Sequence, residues 1–198
     1  MDIIIPAGKS NTKLPVIVRA AIHLFVEKGI EGTTIAQIAK KARVAEGALY
    51  RHFKGKDELA WYIFATNLNQ FTTDLMSKVL SEKGLEKRIH RFVSECFLAF
   101  DSDRDLFTFL ILTEHRELRK YPTTASHPGH IALKVIEDAQ RDGEIAPAEA
   151  YLLVALFIGA LIRACVVHNY GRISGSLKDQ SGQVSSALVG MLKSFRGS

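Results

Sequence analysis

Basic side chains are concentrated in one short segment of this 198-residue chain. The segment 33–56 contains six cations and one acid, a balance of +5 that equals the net charge of the whole chain: Lys40, Lys41, Arg43, Arg51, Lys54, Lys56 and the acid Glu46. Such a local surplus is the footprint expected of a surface that binds the phosphate backbone of nucleic acid. A basic face that is merely solvated has the same composition, so charge alone leaves both interpretations open.

Sequence signatures of catalysis and metal binding are missing. No G-x-S-x-G, H-E-x-x-H or P-loop motif occurs, so we expect no catalytic residues and a protein that is not an enzyme. Cys96 and Cys165 lack the spacing of metal ligands, and the pair His127 and His130 is typical of a solvated turn, so we expect neither a metal nor a cofactor. Both cysteines lie in apolar stretches, which favours inert thiols over a redox switch.

The sequence also carries no clear signal for export or membrane insertion. The start, Met1–Pro6, has an acid where a signal peptide needs a lysine. The longest apolar run, Ala150–Ile162, is shorter than the roughly 20 residues that a membrane-spanning helix needs. We therefore expect a helix that is buried on most of its sides, a cytoplasmic location and no membrane partner.

Apolar periodicity and helix-breaking residues predict an all-helical fold. No proline occurs between Pro15 and Pro122, and glycines fall mainly where the 3.6-residue apolar period breaks. Thr34 and Gln37 form a capping-box pattern that starts a short second helix. The pattern predicts about nine helices, over residues 12–28, 35–41, 45–52, 57–80, 85–100, 104–120, 131–141, 147–168 and 177–195.

Two short helices that are joined by a tight turn and braced by a longer helix are typical of a helix-turn-helix unit. Spaced residues extend this pattern over Ile17 to Leu59: Ala20-Ala21-x-x-Leu24-Phe25-x-x-x-Gly29, Thr33-Thr34-x-x-x-Ile38-Ala39 and Val44-Ala45-Glu46-Gly47-Ala48-Leu49-Tyr50-Arg51-His52-Phe53-x-x-Lys56-x-x-Leu59. The segment strongly resembles the DNA-binding region of the TetR family of bacterial transcriptional regulators. This resemblance implies a DNA-binding domain over residues 1–56 and a helical ligand-binding and dimerisation domain over 57–198.

The second short helix is expected to enter the major groove of double-stranded operator DNA. Leu49 and Phe53, four residues apart, should face inward and set the angle of this helix. Contacts with DNA, or close approach to it, are predicted at Thr33, Thr34, Ala45, Glu46, Gly47, Ala48, Tyr50, Arg51, His52, Lys54 and Lys56.

One position departs from the family pattern, and a second has two possible roles. Ala45 stands where the family often has Ser or Thr, so a helix-capping hydroxyl is lost, which should cost roughly 1 kcal/mol. Glu46 could accept a hydrogen bond from cytosine, or simply favour the positive end of the helix dipole. The dipole role is slightly favoured, and the operator sequence does not follow from these residues.

The resemblance further implies a homodimer that is formed by the last two helices of each subunit. Apolar stripes agree with such an interface, at Leu152, Leu156, Gly159, Val184, Leu188, Met191, Leu192 and Phe195. Two-fold symmetry would place the recognition helices about 34–36 Å apart on a palindromic operator.

Large apolar groups in the middle of the chain predict a site for a small, apolar or aromatic effector, although most of these groups are expected to be core. The candidates are Trp61, Phe64, Phe71, Cys96, Phe97, Phe100, Phe107, Leu110, His115 and Arg163. The resulting hypothesis is a repressor that such an effector releases from DNA. An activator, or an effector-independent DNA-bound protein that acts through a protein partner, is the alternative.

Overall fold

The computed structural model describes residues 13–117 and 126–195, without the side chains of residues 114–116. These residues form nine α-helices and no strand: α1 (Leu14–Lys28), α2 (Ile35–Ala42), α3 (Glu46–Tyr50), α4 (Lys56–Ser81), α5 (Leu85–Ser102), α6 (Arg104–Glu117), α7 (Pro128–Arg141), α8 (Ala150–Asn169) and α9 (Ser181–Ser194). The predicted all-helical fold is confirmed. Helix α3 is shorter than predicted, and α7 begins three residues earlier because Pro128 occupies its first turn.

The chain divides into two compact units. Among the described residues, the first unit contains 13–70 and 103–117, and the second contains 71–102 and 126–195. This division differs from the predicted boundary after residue 56, because α6 packs against α1 in the first unit. Helix α4 contributes residues to both units.

The first unit is built around the apolar stripe of α1. Its core contains residues from α1, α2, α3, α4 and α6, including Ile17, Ala21, Leu24, Phe25, Ile38, Leu49, Leu59, Phe64, Leu106 and Phe109. The rings of Phe25 and Phe109 stack with centroids 5.8 Å apart. Gly29 caps the end of α1, and its φ of 73° is a left-handed value that favours glycine.

The second unit packs α5 against α9 and α7 against α8. Its core is rich in aromatic rings, and those of Phe92 and Phe157 meet edge to face at 5.0 Å. The carboxylate of Asp101 accepts hydrogen bonds from the Ser176 hydroxyl at 2.7 Å and the Lys178 amide at 2.8 Å. These bonds tie the segment before α9 to the end of α5.

Helix α8 is buried on one face only. Its buried residues are Leu153, Phe157, Leu161, Cys165 and His168. On the other face Tyr151, Leu152 and Leu156 are exposed by 68%, 50% and 40%. The prediction of a helix buried on most of its sides is therefore wrong for the single chain. Among the described residues, α8 is also the one helix long and apolar enough, by length and composition alone, to span a membrane.

Candidate nucleic-acid interface

Local hydrogen bonds define the two short helices of the helix-turn-helix unit. The Gln37 amide donates to the Thr34 hydroxyl at 3.2 Å, and the Thr34 amide donates to the Gln37 side chain at 3.0 Å. The predicted capping box is therefore confirmed. Arg43, the C-cap residue after α2, adopts a left-handed conformation with φ of 56° and turns the chain toward α3. Such a conformation is uncommon for a residue with a side chain.

Burial of two side chains orients helix α3. Leu49 is fully buried and Phe53 is 2% exposed, so both join the core of the first unit as predicted. The opposite face carries Glu46, Gly47 and Tyr50, all of which are exposed. A helix of five residues has almost no stability of its own, so these inward contacts hold it in place.

Gly47 is not required by packing within the chain. A Cβ atom built at this position would meet nothing within 4 Å. Because Gly47 has no Cβ atom, the outer surface of α3 has free space at this position, and a DNA duplex needs such space to approach closely. Ala45, the N-cap residue of α3, makes no side-chain capping hydrogen bond, so the loss of a capping hydroxyl expected from the sequence is present.

Thr33 and Ala48 do not belong to the exposed face. Thr33 is fully buried, and its hydroxyl donates to the Gly29 carbonyl at 2.8 Å. Ala48 is 8% exposed because it turns toward the core. Thr34 is exposed, although its hydroxyl already accepts the capping hydrogen bond. Thr33 and Ala48 are therefore corrected to structural positions.

The cations after α3 differ in their availability. Arg51 and Lys54 are exposed, without an ion-pair partner among the described residues. In contrast, the ammonium of Lys56 donates to the Glu31 carbonyl at 2.9 Å and lies 3.6 Å from the Glu31 carboxylate. Lys56 thus links the start of α4 to the loop after α1. His52 is half-buried, and its Nε2 is buried without a hydrogen-bond partner in the described part of the chain.

Two further cations of the basic segment line a groove that sequence reasoning missed. This groove, with a volume of about 420 Å³, contains Lys41 and Arg43 together with Arg19 and His23 of α1. Asp105 of α6 also lines it, and its carboxylate lies 3.3 Å from His23. The sequence could not predict this groove, because its cations and Asp105 lie 62 or more positions apart along the chain.

The predicted effector residues divide between the two units. In the first unit Phe64, Phe107 and Leu110 are buried, Trp61 is partly exposed, and the side chain of His115 lies outside the described residues. In the second unit four others are buried and one is exposed: Phe71, Cys96, Phe97 and Phe100, and the exposed Arg163. Their role as an effector site stays a prediction.

A cavity of about 600 Å³ in the second unit has a different lining. It lies between α5 and α9 and is bordered mainly by charged and small residues, such as His90, Arg91, Gly182 and Lys193. None of the predicted effector residues lines it. The acids and bases at its rim are largely paired with one another, for example Lys193 with Glu86 at 2.7 Å.

Cys96 and Cys165 are buried thiols, and His127 stabilises the start of a helix. Burial raises the pKa of the Cys96 thiol well above its ordinary value, and burial together with the charge of Asp101 raises the pKa of Cys165 to about 12. His127 accepts a hydrogen bond from the Gly129 amide at 3.1 Å and caps α7. Burial lowers the pKa of His127, and the charge of the neighbouring His130 lowers it further. Among the described residues, no group of three or more potential ligands could hold a metal ion.

The predicted dimer residues fall into two sets. Leu152, Leu156 and Gly159 of α8 are exposed, and Val184, Met191 and Phe195 are partly exposed. Leu188 and Leu192 are buried at 5% and 0% exposure, because the face of α9 that carries them packs within the second unit. These two residues are therefore corrected to the core of their own chain.

Comparison with known proteins tests the resemblance to the TetR family. Residues 17–62, which include most of α1 and all of α2 and α3, match the family model described as bacterial regulatory proteins, tetR family. The resemblance found in the sequence is therefore confirmed for this DNA-binding segment. A curated relative, the HTH-type transcriptional regulator SAB2452 of Staphylococcus aureus, is 30% identical over 101 residues, or 51% of this chain. The match covers 54% of that relative, so the chain spans about half the length of the curated protein.

Solved structures share the fold of this chain over most of its length. The transcriptional regulator FadR from Bacillus subtilis in complex with stearoyl-CoA has a TM-score of 0.70 at 20% identity, over 88% of this chain and 96% of that one. AibR in complex with isovaleryl coenzyme A and operator DNA has a TM-score of 0.69 at 21% identity, over 91% of this chain and 98% of that one. At this level of identity the likeness establishes the fold alone.

Proposed function

We propose that this chain is a regulator of transcription that binds operator DNA through helix α3. The observation that carries the proposal is the orientation of α3, whose apolar side is anchored in the core while its small and polar side is exposed. The exposed cations Arg51 and Lys54 lie within four residues after the end of α3. A short helix of small residues that is flanked by cations fits the major groove and its phosphates.

Binding to fragments of genomic DNA tests this proposal, with affinity measured by fluorescence anisotropy at several salt concentrations. We expect Arg51→Ala to weaken binding to all duplexes and to reduce the magnitude of the negative slope of log affinity against log salt by about 1. Lys83→Ala, which removes an exposed cation from the second unit, is the matched control and should change neither quantity. Equal effects of the two variants would contradict the proposed role of Arg51 and the docking through α3.

The exposed apolar face of α8 supports a homodimer as the DNA-binding form. Several large apolar side chains exposed on one face of a helix are typical of a protein–protein interface, and a second copy of the chain would cover them. We expect wild-type protein to sediment as twice the 22.0 kDa chain at micromolar concentration. Leu152→Asp combined with Leu156→Asp should give single chains, whereas Leu98→Asp, at another exposed leucine, should not. A wild-type species of one chain would refute the dimer and, with it, the palindromic operator.

The effector is proposed to be an acyl-CoA or a similar apolar acyl compound. Two structural relatives were solved with stearoyl-CoA and isovaleryl coenzyme A, and large apolar side chains are abundant in both units of this chain. Titration with these two compounds should raise the melting temperature and release bound DNA, as expected of a repressor. Operator DNA should weaken effector binding by the same factor.

A different outcome of that titration would favour another mode of action. If neither acyl-CoA nor smaller apolar compounds raise the melting temperature or release DNA, the protein acts without an effector through a protein partner. If the compounds strengthen DNA binding and transcription, it is an activator. A regulator of this kind, with no enzymatic activity, is proposed to work in the bacterial cytoplasm.

A further inference from the structure

Helix α3 offers very few groups that could distinguish one base pair from another. Ala45 and Gly47 are exposed but have no hydrogen-bonding side chain, and Ala48 and Leu49 are buried. Of the residues within the helix, only Glu46 and Tyr50 present polar side-chain atoms at the surface. Sequence reading by α3 therefore depends on these two residues and on Arg51 directly after it.

The carboxylate of Glu46 has no hydrogen-bond or ion-pair partner among the described residues, whereas other acids of the same unit have one. Glu58 accepts a hydrogen bond from the Lys54 amide at 2.6 Å, and the Glu31 carboxylate lies 3.6 Å from the Lys56 ammonium. Glu46 is the single acid within the basic segment 33–56. The folded chain therefore leaves a free negative charge on the face that otherwise suits a polyanion.

A carboxylate that approaches DNA is repelled by the phosphates unless it accepts a hydrogen bond from a base. It has no donor of its own, so it pairs only with exocyclic amino groups. In the major groove the amino group of cytosine suits such an acceptor. Adenine also has an amino group, but its neighbouring N7 is an acceptor that would face the carboxylate without a donor.

We propose that Glu46 reads a cytosine in each operator half-site by accepting a hydrogen bond from its N4 amino group. This inference rests on the proposed DNA-binding function of α3. The competing structural role, in which Glu46 only stabilises the start of α3 through the helix dipole, requires no preference for any base.

Selection of binding sites from random duplex DNA, followed by affinity measurements on single-base variants, tests the proposal. We expect wild-type protein to prefer the selected cytosine over the other bases by about 5- to 150-fold. Glu46→Ala should lose this preference at that position alone. Glu46→Gln should shift the preference to adenine, because an amide can donate to N7 while it accepts from the N6 amino group.

Asp57→Asn is the matched control, since Asp57 is an exposed acid in the first turn of α4. Removing this charge should strengthen binding to all sequences slightly and leave the selected bases unchanged. Fluorescence of Trp61 confirms that each variant is folded. The proposal is overturned if Glu46→Ala and Glu46→Gln select the same bases as wild type, and in that case the DNA-binding function still stands. If wild-type protein binds no duplex in a salt-dependent manner, both proposals fail.

Discussion

Truncation of Leu49 tests whether core contacts position helix α3. Leu49 is fully buried in the core of the first unit. Replacing such a leucine by alanine removes the transfer free energy of the lost carbons and leaves a cavity, and together these terms cost about 2–5 kcal/mol. Because α3 has five residues and no side-chain N-cap, neighbouring hydrogen bonds offer little to offset this loss.

Urea denaturation provides the assay for Leu49→Ala. The chain has one tryptophan, Trp61, which packs against the same core, so its fluorescence reports on the first unit. With a slope of about 2 kcal/mol per M, the expected destabilisation lowers the urea midpoint by about 1–2.5 M. Protein concentration must be held constant, because association would raise the apparent stability of each variant.

The matched control for this variant is Leu98→Ala on α5. Leu98 is 43% exposed, so the same chemical change should alter the free energy of unfolding by no more than about 0.5 kcal/mol. If Leu49→Ala and Leu98→Ala shift the midpoint equally, Leu49 does not anchor α3, and core contacts do not set the orientation of this helix.

Three further outcomes follow from individual sites. Ala45→Ser should raise the urea midpoint of the first unit by restoring a capping hydroxyl that stabilises α3 by about 1 kcal/mol, and an unchanged midpoint would contradict this. Burial raises the pKa of Asp138, but hydrogen bonds from Arg88, Arg141 and Lys134 outweigh it and leave the pKa below its ordinary value. The resulting stability is complete above about pH 4 and is lost as pH falls through the lowered pKa, so Asp138→Asn should flatten the acid side of a melting-temperature profile. Cys96 and Cys165 should react slowly with iodoacetamide near pH 8 in the folded protein and quickly in urea, because their raised pKa values and burial suppress the thiolate. Rapid alkylation of folded protein would contradict their described burial.

Local features of this protein followed from the sequence by itself. The 3.6-residue periodicity predicted α1, α4 and α5 closely, because an amphipathic helix places its apolar residues at fixed intervals whatever it packs against. The capping box at Thr34 was predictable for the same reason, since its two hydrogen bonds connect residues only three positions apart. The many spaced residues between Ile17 and Leu59 also predicted the family resemblance that the match over residues 17–62 confirms.

The availability of individual side chains was decided only by the tertiary structure. Thr33 is buried because its hydroxyl meets the carbonyl groups of Leu24 and Gly29, and Lys56 is engaged by Glu31, 25 positions away. Leu188 faces the interior of its own chain while Leu152 faces outward, although both lie on apolar stripes. A stripe specifies that one face of a helix must be covered, but which segment covers it depends on contacts between residues that are distant along the chain.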